Sequence, residues 1–121
     1  LTLQQPKPDD FIFATGQQNT VRDFVVEASN LCGFDLQWRG SGKDEVGIDK
    51  KSGRVLIEID PLYYRPTEVD ALIGNPRKAK EKLNWHAKTF FKELVYLMVK
   101  SDLQKCGLDP NEFLNPYKLP N

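Results

Sequence analysis

No charge of one sign prevails in this sequence: 17 Lys and Arg stand against 17 Asp and Glu, and the formal net charge is zero. A balanced chain has no electrostatic footprint for nucleic acid or an anionic membrane, so any anion site has to be local. Long apolar runs are missing too, and nothing approaches the roughly 20 residues of a membrane span. The first ten residues are polar with two prolines, unlike a signal peptide. Cysteine is scarce. Cys32 and Cys106 lack metal-ligand spacing and do not make a disulfide framework, so the chain reads as reduced, intracellular and cytoplasmic. Histidine is scarcer still. The single His86 falls in a helix–helix connection without a nucleophile beside it, which argues against histidine catalysis and against a metal site. No G-x-G-x-x-G follows a strand and there is no P-loop; Gly40-Ser41-Gly42 lies in a loop that no helix receives. Internal repeats and low-complexity tracts are absent.

What is present is 121 residues, 40% hydrophobic and 28% charged, enough for one soluble domain with a modest core. The chain starts with Leu1, not Met, and reads as a fragment or as lacking an upstream portion. Phe11 to Thr15 is a short apolar run ended by Gly16, predicted as a buried strand. Asn19 or Thr20 caps a helix over Val21 to Leu31, with Asp23 completing an imperfect capping box. Val21, Phe24, Val25, Ala28 and Leu31 or Cys32 share its apolar face, and Gly33 stops it. Phe34 to Trp38 alternates with period two, as a half-buried strand does. Gly40 to Glu45 is a loop, Asp49 to Gly53 a turn at a hairpin tip, and Arg54 to Asp60 a strand ended by Pro61. Val69 to Ile73 is one more short strand. Asn75-Pro76 starts a helix running to Leu83, and Thr89 caps a last helix over Phe90 to Lys105. That helix has an apolar face of Phe90, Phe91, Leu94, Val95, Met98 and Val99, and Gly107 stops it. The tail, 108–121, carries three prolines and is expected to be irregular. The order β-α-β-β-β-α-α describes an α+β or small α/β lobe over residues 1–107, with three helices and a few short strands.

The most suggestive stretch is Tyr63-Tyr64-Arg65-Pro66-Thr67-Glu68-Val69-Asp70. Pro66 fixes its own φ and pushes Arg65 toward extended geometry. A guanidinium held so suits a phosphate or carboxylate, because its donors form a planar fork. On spacing alone an exposed ion pair is the commoner outcome. Thr20 and Arg22 open a helix after a strand and a glycine, where free amides and the dipole favour an anion; ordinary capping is the favoured explanation. Tyr96 and Lys100 spell Tyr-x-x-x-Lys, but no cofactor-binding segment exists for them to serve, and they read as a packing tyrosine and a solvated lysine. Trp38 and Trp85 read as core or lobe-edge aromatics.

The wider pattern adds to this. It comprises Leu3-Gln4-Gln5-x-Lys7-Pro8-Asp9-Asp10, Ala14-Thr15-Gly16, Val21-Arg22-x-Phe24-Val25, Glu45-Val46-Gly47 and the Tyr63 to Asp70 stretch. Lys78-Ala79-Lys80-x-Lys82-Leu83-Asn84-Trp85 and Glu93-Leu94-Val95-x-x-Met98-Val99 complete it. Over about Leu3 to Leu103 the sequence resembles the C-terminal portion of the GDP-mannose 4,6-dehydratase family, lyases among the extended short-chain dehydrogenase/reductases. The tail after Lys105 has no clear counterpart. The resemblance implies a nucleotide-sugar-binding lobe whose Rossmann lobe is absent here and lies upstream or on a separate chain. It implies NADP as cofactor of the intact enzyme, with none bound by this chain, and a homo-oligomer when intact. The implied reaction takes GDP-mannose to GDP-4-keto-6-deoxy-D-mannose, toward GDP-fucose, by hydride removal at C4, loss of water across C5 and C6, and hydride return at C6. The catalytic Thr/Ser, Glu, Tyr and Lys belong to the missing lobe, so no catalytic, cofactor-binding or metal residue is expected in this chain. The carried-over role is substrate binding: Arg65 for the diphosphate and Glu68 for the ribose, with Tyr64 and Arg22 as secondary candidates. A stand-alone nucleotide-sugar binder or interaction module, or the lobe of another nucleotide-sugar dehydratase or epimerase, stays open. A Rossmann sequence upstream in the same reading frame separates these readings.

Overall fold

The computed structural model describes residues 1–65 and 72–114. In chain order it holds a 3₁₀ turn at Thr2–Gln4, α1 (Val21–Leu31), β1 (Leu36–Arg39) and a 3₁₀ turn at Gly42–Asp44. Then come β2 (Val46–Asp49), β3 (Val55–Glu58), α2 (Arg77–Leu83), α3 (Phe91–Lys105) and the single turn α4 (Pro110–Phe113). The chain divides into two compact units, Leu1–Asn19 with Val69–Phe91, and Thr20–Glu68 with Lys92–Asn121. The architecture is small α+β. Among the described residues no helix is long and apolar enough to cross a membrane.

In the Thr20–Glu68 and Lys92–Asn121 unit, α1 starts where the sequence predicts. The Thr20 hydroxyl accepts from the Asp23 amide at 3.0 Å, and the Asp23 carboxylate accepts from the Thr20 amide at 2.8 Å. The two donors satisfied reciprocally form a capping box. The apolar face closes only toward its C-terminal end: Leu31 is buried and Val21 is exposed. Lys92 at the start of α3 pairs with Glu27 of α1 at 4.0 Å. Of the six apolar-face residues expected on or beside α3, only Val95 is buried.

The sheet is antiparallel in the order β1-β2-β3. Leu36 faces Asp49 and Arg39 faces Val46 across β1 and β2, with a bulge in β2 at Gly47/Ile48 against β3. β2 is absent from the sequence reading, because Gly47 inside Glu45 to Asp49 resembles loop rather than strand. It nonetheless pairs with both neighbours, and the space a side chain at Gly47 would take is crowded. A Cβ at Gly47 would lie 3.1 Å from Ile57 Cβ and 3.3 Å from Trp38 Cζ3. The tip predicted at Asp49 to Gly53 joins β2 to β3. Buried Asp49 organises it, accepting from the Ser52 hydroxyl at 2.6 Å, the Ser52 amide at 3.0 Å and the Asp35 amide at 3.3 Å. These bonds favour the charged form and hold its carboxyl below the usual carboxylate range, the Ser52 hydroxyl contributing most.

In the Leu1–Asn19 and Val69–Phe91 unit, α2 starts one residue later than predicted. Pro76 is the N-cap, and the Asn75 carboxamide accepts from the Arg77 amide at 3.0 Å. Ala79 and Leu83 are its buried residues. The helix ends on Asn84, whose φ of 50° is left-handed, a conformation asparagine tolerates better than most residues. Asp9 ties the N-terminal segment to α2 by accepting from Lys78 and, at 3.1 Å, from Lys82. Those two bonds, Lys78 first, pull its pKa down to about 2. Phe13 meets Trp85 edge-on with centroids 5.0 Å apart.

Two sequence expectations are corrected, and a third lies largely outside the described residues. The segment Phe11 to Thr15 is not a strand: it lies against Gly74, with no ladder of backbone bonds to other described residues. Of the expected strand Val69 to Ile73, residues 69–71 lie outside the described residues, and Leu72 and Ile73 are in no strand. The tail is not irregular throughout: Asp109 caps α4, accepting from the Asn111 amide at 2.9 Å, with Pro110 opening the turn. Residues 115–121 lie outside the described residues.

Two outcomes follow from this packing. A Cβ at Gly74 would fall 2.6 Å from Ala14 Cβ. Gly74→Ala is therefore expected to destabilise the chain by about 1–3 kcal/mol in urea unfolding, and Ala14→Gly in the same chain to restore part of that loss. Asp49 has a folded pKa below its unfolded value, so its contribution is present above the unfolded pKa and disappears as pH falls through the folded pKa. The variant Asp49→Asn is expected to lower the thermal midpoint at neutral pH. It should also shrink the loss of midpoint between neutral and strongly acidic buffer, measured by circular dichroism.

Candidate substrate-binding site

Arg22 is the second residue of α1, and the Thr20–Asp23 box fixes where the helix begins. From there its guanidinium reaches two groups. One Nη donates to Glu45 Oε2 at 2.5 Å, and Cζ sits 4.5 Å from the centroid of the Trp38 ring. Glu45 is the less exposed partner, its side chain 18% accessible against 47% for Arg22. A cation over the indole face gains from the ring quadrupole, and the planar guanidinium stacks there as an ammonium would not.

Local backbone geometry sets both partners. Trp38 pairs with Gly47 across β1 and β2, and the missing side chain at Gly47 leaves room for the indole to lie over the strand. Glu45 ends the Gly40–Glu45 loop, which folds tightly on itself. Gly40 has φ 81°, and a Cβ there would come 2.4 Å from the Asp44 carbonyl oxygen. Tyr64 packs on the same loop, its hydroxyl 3.3 Å from where a Cβ on Gly42 would be. A turn after β3 delivers it: Asp60 accepts from the Leu62 amide through its side chain at 2.9 Å, and from the Tyr63 amide through its carbonyl at 3.1 Å.

Of the four residues named from the sequence, Arg22 and Tyr64 thus abut one loop. Arg65 follows Tyr64 directly and is exposed, and Glu68 lies outside the described residues. Glu45 joins the group without having been named as a candidate, and Trp38, read from the sequence as a core or lobe-edge aromatic, instead carries a cation on its ring. The only hints were an aromatic on a half-buried strand and the Glu45-Val46-Gly47 run. What these groups offer is a guanidinium held by Glu45 and Trp38 with donors left over, on a loop that Tyr64 also packs against, an arrangement that can bind and orient an anionic ligand.

The other candidates bring less. His86 is exposed on the wall of a recess of about 280 Å³ that Thr15, Lys80 and Trp85 also line, and the residues lining it include no carboxylate or thiol. Cys32 and Cys106 are free thiols, and burial pushes the Cys32 thiol up. Tyr96 and Lys100 are half-buried on α3, so Lys100 is less solvated than expected. Among the described residues no group of three or more His, Cys, Asp or Glu is placed to hold a metal ion.

Comparison with known proteins places the sequence in a family. The profile of GDP-mannose 4,6 dehydratase matches residues 1–98. A GDP-mannose 4,6 dehydratase of Dictyostelium discoideum is 49% identical over 104 residues, covering 86% of this chain and 29% of that protein. The Homo sapiens GDP-mannose 4,6 dehydratase is 44% identical over 111 residues, covering 92% and 30%. The GDP-mannose 4,6 dehydratase 2 of Caenorhabditis elegans is 48% identical over 108 residues, covering 89% and 28%. The chain therefore spans less than a third of the length of these relatives, while nearly all of it is matched. On that match the chain belongs to the GDP-mannose 4,6-dehydratase family.

Proposed function

We propose that this chain is the substrate-binding part of a GDP-mannose 4,6-dehydratase, the C-terminal lobe of an extended short-chain dehydrogenase/reductase. The observation that carries the reading is the family match over residues 1–98, and the clamped guanidinium of Arg22 supports it. The ligand is GDP-mannose, and the intact enzyme's product is GDP-4-keto-6-deoxy-D-mannose. Arg22 and Arg65 supply donors to the diphosphate, Glu68 accepts from the ribose hydroxyls, and Tyr64 borders the site. Such contacts hold and orient the sugar nucleotide, and binding of that kind raises the rate only when reacting groups are supplied alongside.

Among the described residues, the α1 amino terminus does not suit the pyrophosphate of the family's NADP. There the Asp23 carboxylate already accepts from the Thr20 amide. That carboxylate takes up a backbone donor that a pyrophosphate seated on the helix start would use. Cofactor binding and the hydride chemistry fall to a Rossmann lobe, upstream or on another chain, working in a cytoplasmic homo-oligomer.

Calorimetric titration of the chain with GDP-mannose tests the reading. Binding is expected, and Arg65→Ala is expected to weaken it by about 1.5–3 kcal/mol, the scale of hydrogen bonds to charged groups. An unchanged dissociation constant removes Arg65 from the site. With added NADP the chain alone is expected to give no 4-keto product; turnover would contradict the assignment of chemistry to another lobe.

A further inference from the structure

We propose that Glu45 and Trp38 are positioning residues that hold the Arg22 guanidinium in one plane, so that its free edge meets the diphosphate of a nucleotide ligand. This deepens the function proposed above and rests on it. An arginine side chain loses much rotamer freedom on binding, and fixing it beforehand removes that cost from the binding step. Here the fixing is double. The Trp38 face, 4.5 Å from Cζ, restricts tilt, and Glu45 at 2.5 Å from one Nη restricts rotation within the plane.

The stack is built from below. Gly47 has no side chain, the indole of Trp38 lies over it, and the guanidinium lies over the indole. Glu45 engages a single Nη, and the guanidinium has five N–H donors, so donors remain for a ligand. Its carboxylate is also a negative charge beside a site for an anion. That cost makes the pair informative, because Glu45 is useful to ligand binding only if geometric fixing outweighs repulsion. A carboxamide at the same position keeps an oxygen acceptor and removes the charge, which separates the two contributions.

Nuclear magnetic resonance of the Arg22 side chain, assigned with Arg22→Lys, reads the positioning directly, and GDP titration reads its use. In the wild-type chain the Arg22 Nη protons are expected to be resolved in the cold, and GDP to shift them. Glu45→Ala, its fold verified by circular dichroism, is expected to merge these signals and weaken GDP about tenfold, while Glu45→Gln and Trp38→Phe stay within about threefold of wild type. Equal or tighter GDP binding by folded Glu45→Ala overturns the proposal and makes Glu45 a bystander or a competitor. Averaged Nη signals in a wild-type chain that binds GDP overturn the positioning alone. Resolved signals in a wild-type chain that binds no GDP overturn the nucleotide reading, and with it the use assigned to the clamp.

Discussion

The empty space at Gly47 is the constraint on which the site depends. A Cβ there would press on Ile57 from one strand and on Trp38 from the other. Without it three strands pair closely, and the indole of Trp38 lies across the middle one. The indole then presents a flat face to the start of α1. Arg22, one residue inside the capped helix, is the cation that meets it. The capping box matters for the same reason. By fixing the first turn it fixes the direction in which Arg22 leaves the backbone.

A second constraint is the tight path of the chain from Gly40 to Glu45. Its left-handed glycines let the loop double back, which brings Glu45 under Arg22 and leaves Gly42 open for the Tyr64 hydroxyl. A sheet of twelve paired or bulged residues is a small platform, and the turn at Asp49 strengthens it by satisfying one buried carboxylate with three donors. In the other unit the work is done by Asp9, which joins the N-terminal segment to α2 through two lysines. Both units thus use a carboxylate with several donors where a small core leaves few apolar contacts.

The helices were legible because their signals are local: Thr20 with Asp23, Asn75 with Pro76, and a face repeating at helical spacing. The hairpin tip at Asp49 to Gly53 was legible for the same reason. β2 was not, because Gly47 belongs to a strand only once Trp38 and Ile57 have come to it from elsewhere in the chain. Phe11 to Thr15 has strand composition, but composition provides no partner, and among the described residues it lies against Gly74 without a ladder. For the site, Arg22 and Tyr64 could be named from the sequence, and the loop that both touch could not. Trp38 and Glu45 are sixteen and twenty-three positions beyond Arg22, and no spacing rule links residues so far apart. The resemblance carried by Tyr63 to Asp70 therefore did what local patterns could not, by raising Arg65 from an ordinary surface charge to a candidate ligand.

A charge-neutral chain that binds a diphosphate must do so through a few well-placed donors, since no broad positive field exists to help. Phosphorus resonance of GDP mixed with the full chain tests this most directly. Contact with Arg22 and Arg65 predicts that both phosphorus lines broaden and shift as chain is added, the terminal one most, and that Arg22→Ala diminishes the change. Lines that stay sharp and unmoved at millimolar chain and nucleotide would contradict it.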